Sequence, residues 1–326
     1  MKIKNKMMRI RKSAYRTLTL KIFCFGLIVV FASAVSAQKS AATQATRVIT
    51  VITEPDAKIW LDDILRGSTD ASGKLELKPI TAGAHKIRVR ADGFKETSQN
   101  LTALQKGEVK IALTKTDDSA ELAFQEAERL SLLDRQKAIA AYRKAISLRP
   151  NYAEVNLALA RILADANDFD GARAAVRDAR KARPAYAEAS AVEGRIYKAE
   201  GDEEKAIASY KRAITEGKNF QPEALTGLGL IYKERAEISG GGGDFEAEEE
   251  NLMLAAGYFR KAVTQLSGAP DAITIYQFLG LAYEKTKKYP EAIAVYEEFL
   301  RVFPDANEAT AVRSFITQLK KEMSGQ

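Results

Sequence analysis

The sequence predicts two domains of different class: a small all-β sandwich over residues 47–115, then an all-α superhelix of paired helices over residues 118–304. Three observations carry this. Between Arg47 and Leu113, short runs of alternating polarity are separated by Gly and Asp turns, at the spacing of roughly 8–12 residues expected of a sandwich. From Ala138 onward a segment built on Ala, an aromatic or Val, and Ala recurs, and its first three copies begin at 138, 172 and 206, a fixed 34-residue period. Periods of that length mark stacked helical repeats. Ahead of both domains stands a basic, then apolar, then small-residue start.

That start reads as a secretory signal peptide over residues 1–37. Met1–Lys21 carries eight Lys and Arg and no acid, Ile22–Phe31 is apolar, and Ala32–Ala37 is small, which places cleavage after Ala37. The apolar run is short for a spanning helix, which takes ~20 residues. An uncleaved anchor is the alternative; after cleavage the mature chain has no membrane span. The full chain is net +7, but eight of its 50 basic residues leave with the leader, so 42 remain against 43 acidic ones. The general electrostatic argument for nucleic acid leaves with them. Cys24 is the sole cysteine and also lies in the leader. The exported chain must therefore hold its fold in an oxidising compartment by packing alone. Residues 38–46 are small and polar, a flexible leader.

Within the β domain, Arg47–Ile52 is strand-like, and Ile59 and Leu61 alternate with Lys58 and Trp60. Asp70–Gly73, Ala82-Gly83 and Asp92-Gly93 are turn chemistry. Leu75 and Leu77, His85–Arg90 and Val109–Leu113 supply the remaining strands. Lys86, Arg88 and Arg90 alternate with Ile87 and Val89, which puts them in one basic strip on an outer face. The strip is a candidate contact for an anionic envelope polymer; the alternative is that it solvates the sheet or guards an edge. His85, the only histidine, shares parity with Ile87 and Val89 and reads as structural. Pro55-Asp56-Ala57, Trp60–Asp63, Gly67, Gly83–Ile87 and Gly93-Phe94 resemble the PEGA domain, with Asp56-Ala57 departing from that family's Pro-Glu-Gly-Ala run. The resemblance implies a protein of the cell surface or envelope.

Asp118 with Glu121 resembles a capping box opening the first helix. The recurring copies are Ala138–Pro150, Ala172–Pro184, Ala206–Lys218, Ala255–Ser267 and Ala292–Pro304. Upstream of them, Leu159-Ala160, Glu193-Gly194, Leu228-Gly229 and Leu279-Gly280 form large-small pairs, followed by Leu163, Tyr197, Tyr232 and Tyr283. The first unit departs, with Gln125 and Glu126 at the large-small place. The pattern resembles the tetratricopeptide repeat (TPR), which implies antiparallel helix pairs stacked into a right-handed superhelix that binds protein. Five units span residues 118–304, with an insertion at about 236–250 holding Gly240–Gly243, expected to form a mobile loop. Residues 305–326 form a capping helix and tail.

No catalytic constellation is present. One histidine has no Cys or His partner for a metal, and no Gly-rich segment ends as a phosphate loop. Asp244–Glu250 lacks a calcium-loop pattern and suits a helix N-terminus. The reading is a non-enzyme with no cofactor and no metal. The TPR resemblance puts Arg161, Arg195, Lys198 and Lys233 on the groove wall, with Leu230 and Leu281 as an apolar floor. The matching ligand is a protein or peptide segment, acidic then apolar. The bland alternative pairs these arginines with Glu154 and Glu188. The expected function is an exported adaptor or scaffold, periplasmic or extracellular. The alternative is peptidoglycan or polysaccharide binding through the β domain, with the array as spacer.

Overall fold

Alternating burial from Arg47 to Lys110 builds two facing sheets. The structure, a computed structural model, describes residues 47–325; the expected signal peptide and leader lie outside the described residues. In the first sheet β1 (Arg47–Ile52) is central, antiparallel to β4 (Lys74–Ile80) and parallel to β7 (Gly107–Lys110). The second runs β3 (Ile64–Ser68), β2 (Lys58–Leu61), β5 (His85–Arg90), β6 (Thr97–Leu101), antiparallel throughout. Ile49, Val51 and Leu77 from one sheet meet Ile59, Ile87 and Val89 from the other in an enclosed core.

The β2–β3 hairpin turns on Asp62 and Asp63, at φ 51° and 63°. A two-residue turn of this hand needs left-handed backbone at both positions, and Asp tolerates it better than most residues. Asp62 also fastens the turn to β5. Its Oδ1 accepts the Lys86 N–H at 2.9 Å, and its Oδ2 lies 2.5 Å from His85 Nδ1. The other ring nitrogen of His85 sits 3.0 Å from the Thr81 carbonyl oxygen. The histidine is a structural clip, as its strand parity predicts.

Eleven helices follow among the described residues. They pair as α1 (Ser119–Leu130) with α2 (Arg135–Leu148), α3 (Ala153–Asp165) with α4 (Phe169–Ala182), and α5 (Ala187–Ala199) with α6 (Glu203–Glu216). Next come α7 (Pro222–Gly241) with α8 (Phe245–Leu266), α9 (Ala272–Lys285) with α10 (Tyr289–Val302), and the closing α11 (Ala309–Ser324). The second helix of each of the first four pairs opens on an Asp cap. Asp134, Asp168, Asp202 and Asp244 each accept a backbone N–H three residues on. Such caps satisfy donors that the first turn leaves free. Asp118 caps α1 in the same way, but Glu121 does not reach back to close a box; it accepts the Glu96 N–H of the sandwich at 3.0 Å.

The recurring small residues admit the aromatic of the paired helix. A Cβ added at Gly194 would fall 2.6 Å from Tyr210 Cδ1, and one at Gly229 would fall 2.5 Å from Phe259 Cε1. Ala138, Ala172, Ala206, Ala255 and Ala292 are fully enclosed. The last helix covers the array end with Val312, Ile316 and Leu319.

The insertion differs from expectation. It is no loose loop: it lengthens both helices of the fourth pair, to 20 residues in α7 and 22 in α8. Gly240 and Gly241 are helical, and the Asp244 N–H donates to the Ser239 carbonyl at 2.9 Å to close a short turn. Helix packing between α7 and α8 outweighs the ~1 kcal/mol that each helical glycine costs relative to alanine.

Candidate functional site

The sandwich lies against the array and touches it at two places. The near place is α1, where Gln125 donates to the Phe94 carbonyl and accepts the Gly93 N–H, both at 2.8 Å. This explains why the first unit departs from the repeat: Gln125 serves the sandwich, not a neighbouring helix. The far place is the α8–α9 turn. A Cβ at Gly268 would lie 2.7 Å from Pro79 Cδ, and Ile64 packs against the apolar cluster of the last helices.

The basic strip corrects its sequence reading. Arg90 is only 8% exposed. Its guanidinium donates to Glu128 of α1 at 2.7 Å and to Glu96 at 2.5 Å and 2.9 Å. Burial opposes the charge on Arg90, but Glu128 and Glu96 outweigh it and hold the group above its ordinary range. Arg88 donates to Glu96 at 3.1 Å and stands 4.2 Å over the Trp60 ring. Lys86 alone of the three is exposed. Strand parity put the three on one face; the array covers that face at Arg90, while Arg88 is engaged within the sandwich and Lys86 reaches solvent.

Between the two places of contact the domains border an open cavity of about 1180 Å3. One wall is the hairpin, with Trp60, Asp63 and Leu65; the other is the concave side of α3, α5, α7 and α9. Of the six groove residues expected from sequence, four line it: Arg161, Arg195, Lys198 and Leu230. Leu281 is 41% exposed and outside the lining, as is Lys233. One and two helix turns before Leu281, Phe278 and Thr274 take the place on α9. The β wall has no signal in the repeat pattern, because it comes from another domain.

The cations are paired, though not as the sequence suggests. Arg161 grips Glu223 with two bonds of 2.7 Å and 2.6 Å, while Glu154 pairs with Arg183. Lys198 reaches Glu234 at 2.5 Å, and Lys233 reaches Glu237 at 2.6 Å. Burial works against ionisation of Glu223, but Arg161, with Arg195 behind it, outweighs burial and keeps the carboxyl below its usual range. Arg195 is the loosest. Its closest carboxylate is Asp165 at 3.7 Å, and its Nε is enclosed without a hydrogen-bond partner among the described residues.

Among the described residues, the lining holds no histidine or cysteine, and no group of three or more His, Cys, Asp or Glu side chains is placed to hold a metal ion. The lining offers fixed charge beside apolar surface, from Leu65, Phe220, Leu230 and Phe278.

Residues 134–196 match one family model described as tetratricopeptide repeat, and residues 187–216 and 273–305 match another of the same description. These stretches are tetratricopeptide repeats. Repeats of this class act as protein-binding modules rather than catalysts. The photosystem I assembly protein Ycf3 of Synechococcus sp. (strain CC9605) is 37% identical over 67 residues, which is 21% of this chain and 38% of that protein. Among solved structures, yeast Tom70 is 18% identical with a TM-score of 0.49, covering 64% of this chain and 41% of that one. A thermophilic TPR protein of Thermus thermophilus is 18% identical with a TM-score of 0.44, covering 61% of this chain and 98% of that one. Among the described residues no helix is long and apolar enough to cross a membrane.

Proposed function

We propose that this chain is an exported, non-enzymatic adaptor that holds a segment of another protein in the cavity between its β hairpin and the concave wall of its repeats. The observation that carries the reading is the cavity itself, about 1180 Å3, whose array wall sets Arg161, Arg195 and Lys198 beside the carboxylates Glu188, Glu223 and Asp271 and passes into apolar surface, with Arg195 the least engaged of the cations. Its ligand is extended, acidic in one part and apolar in the next. Charged contacts of this kind set orientation and on-rate more than affinity. The Synechococcus relative is named as an assembly protein, which supports an adaptor reading here.

Export rests on the basic, apolar and small-residue start, and a periplasmic or extracellular place follows from it. The PEGA-like motifs of residues 47–115 fit the same setting. N-terminal sequencing of the protein recovered outside the cytoplasm should begin at Gln38; a chain beginning at Met1, Met7 or Met8 contradicts export by cleavage.

Binding of an envelope polymer through Lys86, Arg88 and Arg90 is the weaker reading, since Arg88 and Arg90 are engaged by Glu96 and Glu128. The two are separated by affinity capture with the full exported chain and quantitative mass spectrometry. The change Arg195→Glu with Lys198→Glu should deplete a captured protein, and wild-type capture should fall with added salt. Lys86→Glu should leave capture unchanged. The reverse pattern favours the polymer surface.

A further inference from the structure

The β2–β3 hairpin carries Asp62, Asp63, Ile64 and Leu65 in that order: two carboxylates, then two branched aliphatic side chains. The array wall across the cavity carries Arg161, Arg195 and Lys198 beside the carboxylates Glu188, Glu223 and Asp271, and leads to Leu230, Leu266 and Phe278; of these cations Arg195 alone keeps an enclosed nitrogen without a hydrogen-bond partner among the described residues. The chain thus holds over its own groove a turn whose apolar half the groove receives.

One side chain of the turn is seated. Ile64 is half-buried against the apolar cluster of the last helices, beside Phe220 and Leu266. The remainder is not. Asp62 is held by His85 and Lys86, and Asp63 lies 3.4 Å from Arg88 of its own domain. The array cations hold carboxylates of the array itself. Leu65 is 43% exposed, and about 1180 Å3 of cavity stays open beside it. The sandwich is fastened at α1 by Arg90, Lys58 and Gln125. Its hold on the α8–α9 end is slight by comparison, resting on Ile64 and the approach of Pro79 to Gly268.

We propose that the β2–β3 turn is a resident occupant of the array's binding site, and that the partner protein presents a segment of the same chemistry: two carboxylates followed by branched aliphatic side chains. Such a segment takes the seat of Ile64, places its acids toward Arg195 and Lys198, and fills the space that the resident turn leaves empty. Because the turn is tethered, it competes at a high effective concentration. A weak or mismatched ligand is excluded, while a well-matched one displaces it. This rests on the groove reading above.

The test uses a dye-labelled cyclic peptide copying Lys58–Ser68 and the full exported chain, read by fluorescence anisotropy. Ile64→Asp empties the seat, and Ile64→Ala does so more gently should the Asp variant lose its near-ultraviolet circular dichroism. The expected result is binding at least tenfold tighter to Ile64→Asp than to wild type, with Ile64→Ala between them. Adding Arg195→Glu and Lys198→Glu to the emptied variant should reverse the gain. Equal binding to wild type and the emptied variants overturns the proposal, and so does no binding to any of them. A partner protein captured equally by wild type and Ile64→Ala, yet lost from Arg195→Glu with Lys198→Glu, removes the resident turn and leaves the groove reading standing. Capture indifferent to every one of these changes removes both.

Discussion

Two glycines in the fourth helix pair should respond differently to the same substitution. Gly229 of α7 faces α8, and a Cβ there would lie 2.5 Å from Phe259 Cε1 and 2.6 Å from Cδ1. Phe259 is fully enclosed, so its ring has no free space into which to swing. Gly257 of α8 is exposed, and an added Cβ meets nothing within 4 Å. Gly→Ala in a helix interior gains about 1 kcal/mol of propensity. At Gly257 that gain stands alone, and Gly257→Ala should stabilise by about that amount. At Gly229 the ring must retreat by ~1 Å from ordinary contact, and overpacking a close core site costs ~1–3 kcal/mol. Gly229→Ala should therefore be neutral to ~2 kcal/mol destabilising, a spread of ~1–3 kcal/mol between the two variants. In a chain of this size each kcal/mol moves Tm by ~2–4 °C. Urea unfolding followed by circular dichroism reads the sign directly. If Gly229→Ala gains as much as Gly257→Ala, the large-small pairs do not interlock and the register of the array is misplaced.

Three further outcomes follow from the packing and the ion pairs. Ala206 is enclosed and Ala208 exposed, so Ala206→Leu should lower the urea midpoint while Ala208→Leu stays near wild type. Arg90→Ala strands Glu96 and Glu128 at the interface between sandwich and α1; with those carboxylates partly exposed, the cost should sit at about 3 kcal/mol, the low end for a broken buried pair, whereas Lys86→Ala should stay within ~0.5 kcal/mol. Glu223 has its carboxyl lowered by Arg161, so its stabilisation is present above the ordinary Glu range of ~4.3 and is lost as pH falls through the folded value. The urea-midpoint gap between wild type and Glu223→Gln should accordingly be widest near neutral pH and close in acid.

The array was legible because each unit must show the same face to its neighbours, so Ala, aromatic and Ala return at fixed offsets. The sandwich was legible where strands are half-buried, as at Ile59, Leu61, Ile87 and Val89. Its sixth strand was not, because Thr97–Leu101 is an edge paired only with β5 and carries mostly polar residues. The glycine insertion misled in the other direction. Local propensity argues for a break at Gly240, but α8 packs alongside and the helix continues through Gly241. Groove positions were half legible. Repeat spacing brings Arg161, Arg195, Lys198 and Leu230 to one cavity, yet Glu223 lies 62 residues from the Arg161 that it neutralises. Nothing in the period could couple those two. The basic strip shows the same boundary: parity assigns Arg88 and Arg90 to a face, and only the tertiary fold places Glu128 over it.

The central claim is that a partner protein lies against the concave wall of the repeats, and site-specific photo-crosslinking tests it most directly. A photoreactive residue is placed at Thr274 or Leu230, which line the cavity, and at Lys181 of α4 and Lys137 of α2, which are well exposed on the second helices of their pairs. Illumination in the living cell, followed by purification of the full chain, reports what each position touches. The account predicts a discrete adduct with one other protein from Thr274 and Leu230, and none from Lys181 or Lys137. An adduct confined to Lys181 and Lys137, with nothing from the cavity, contradicts it.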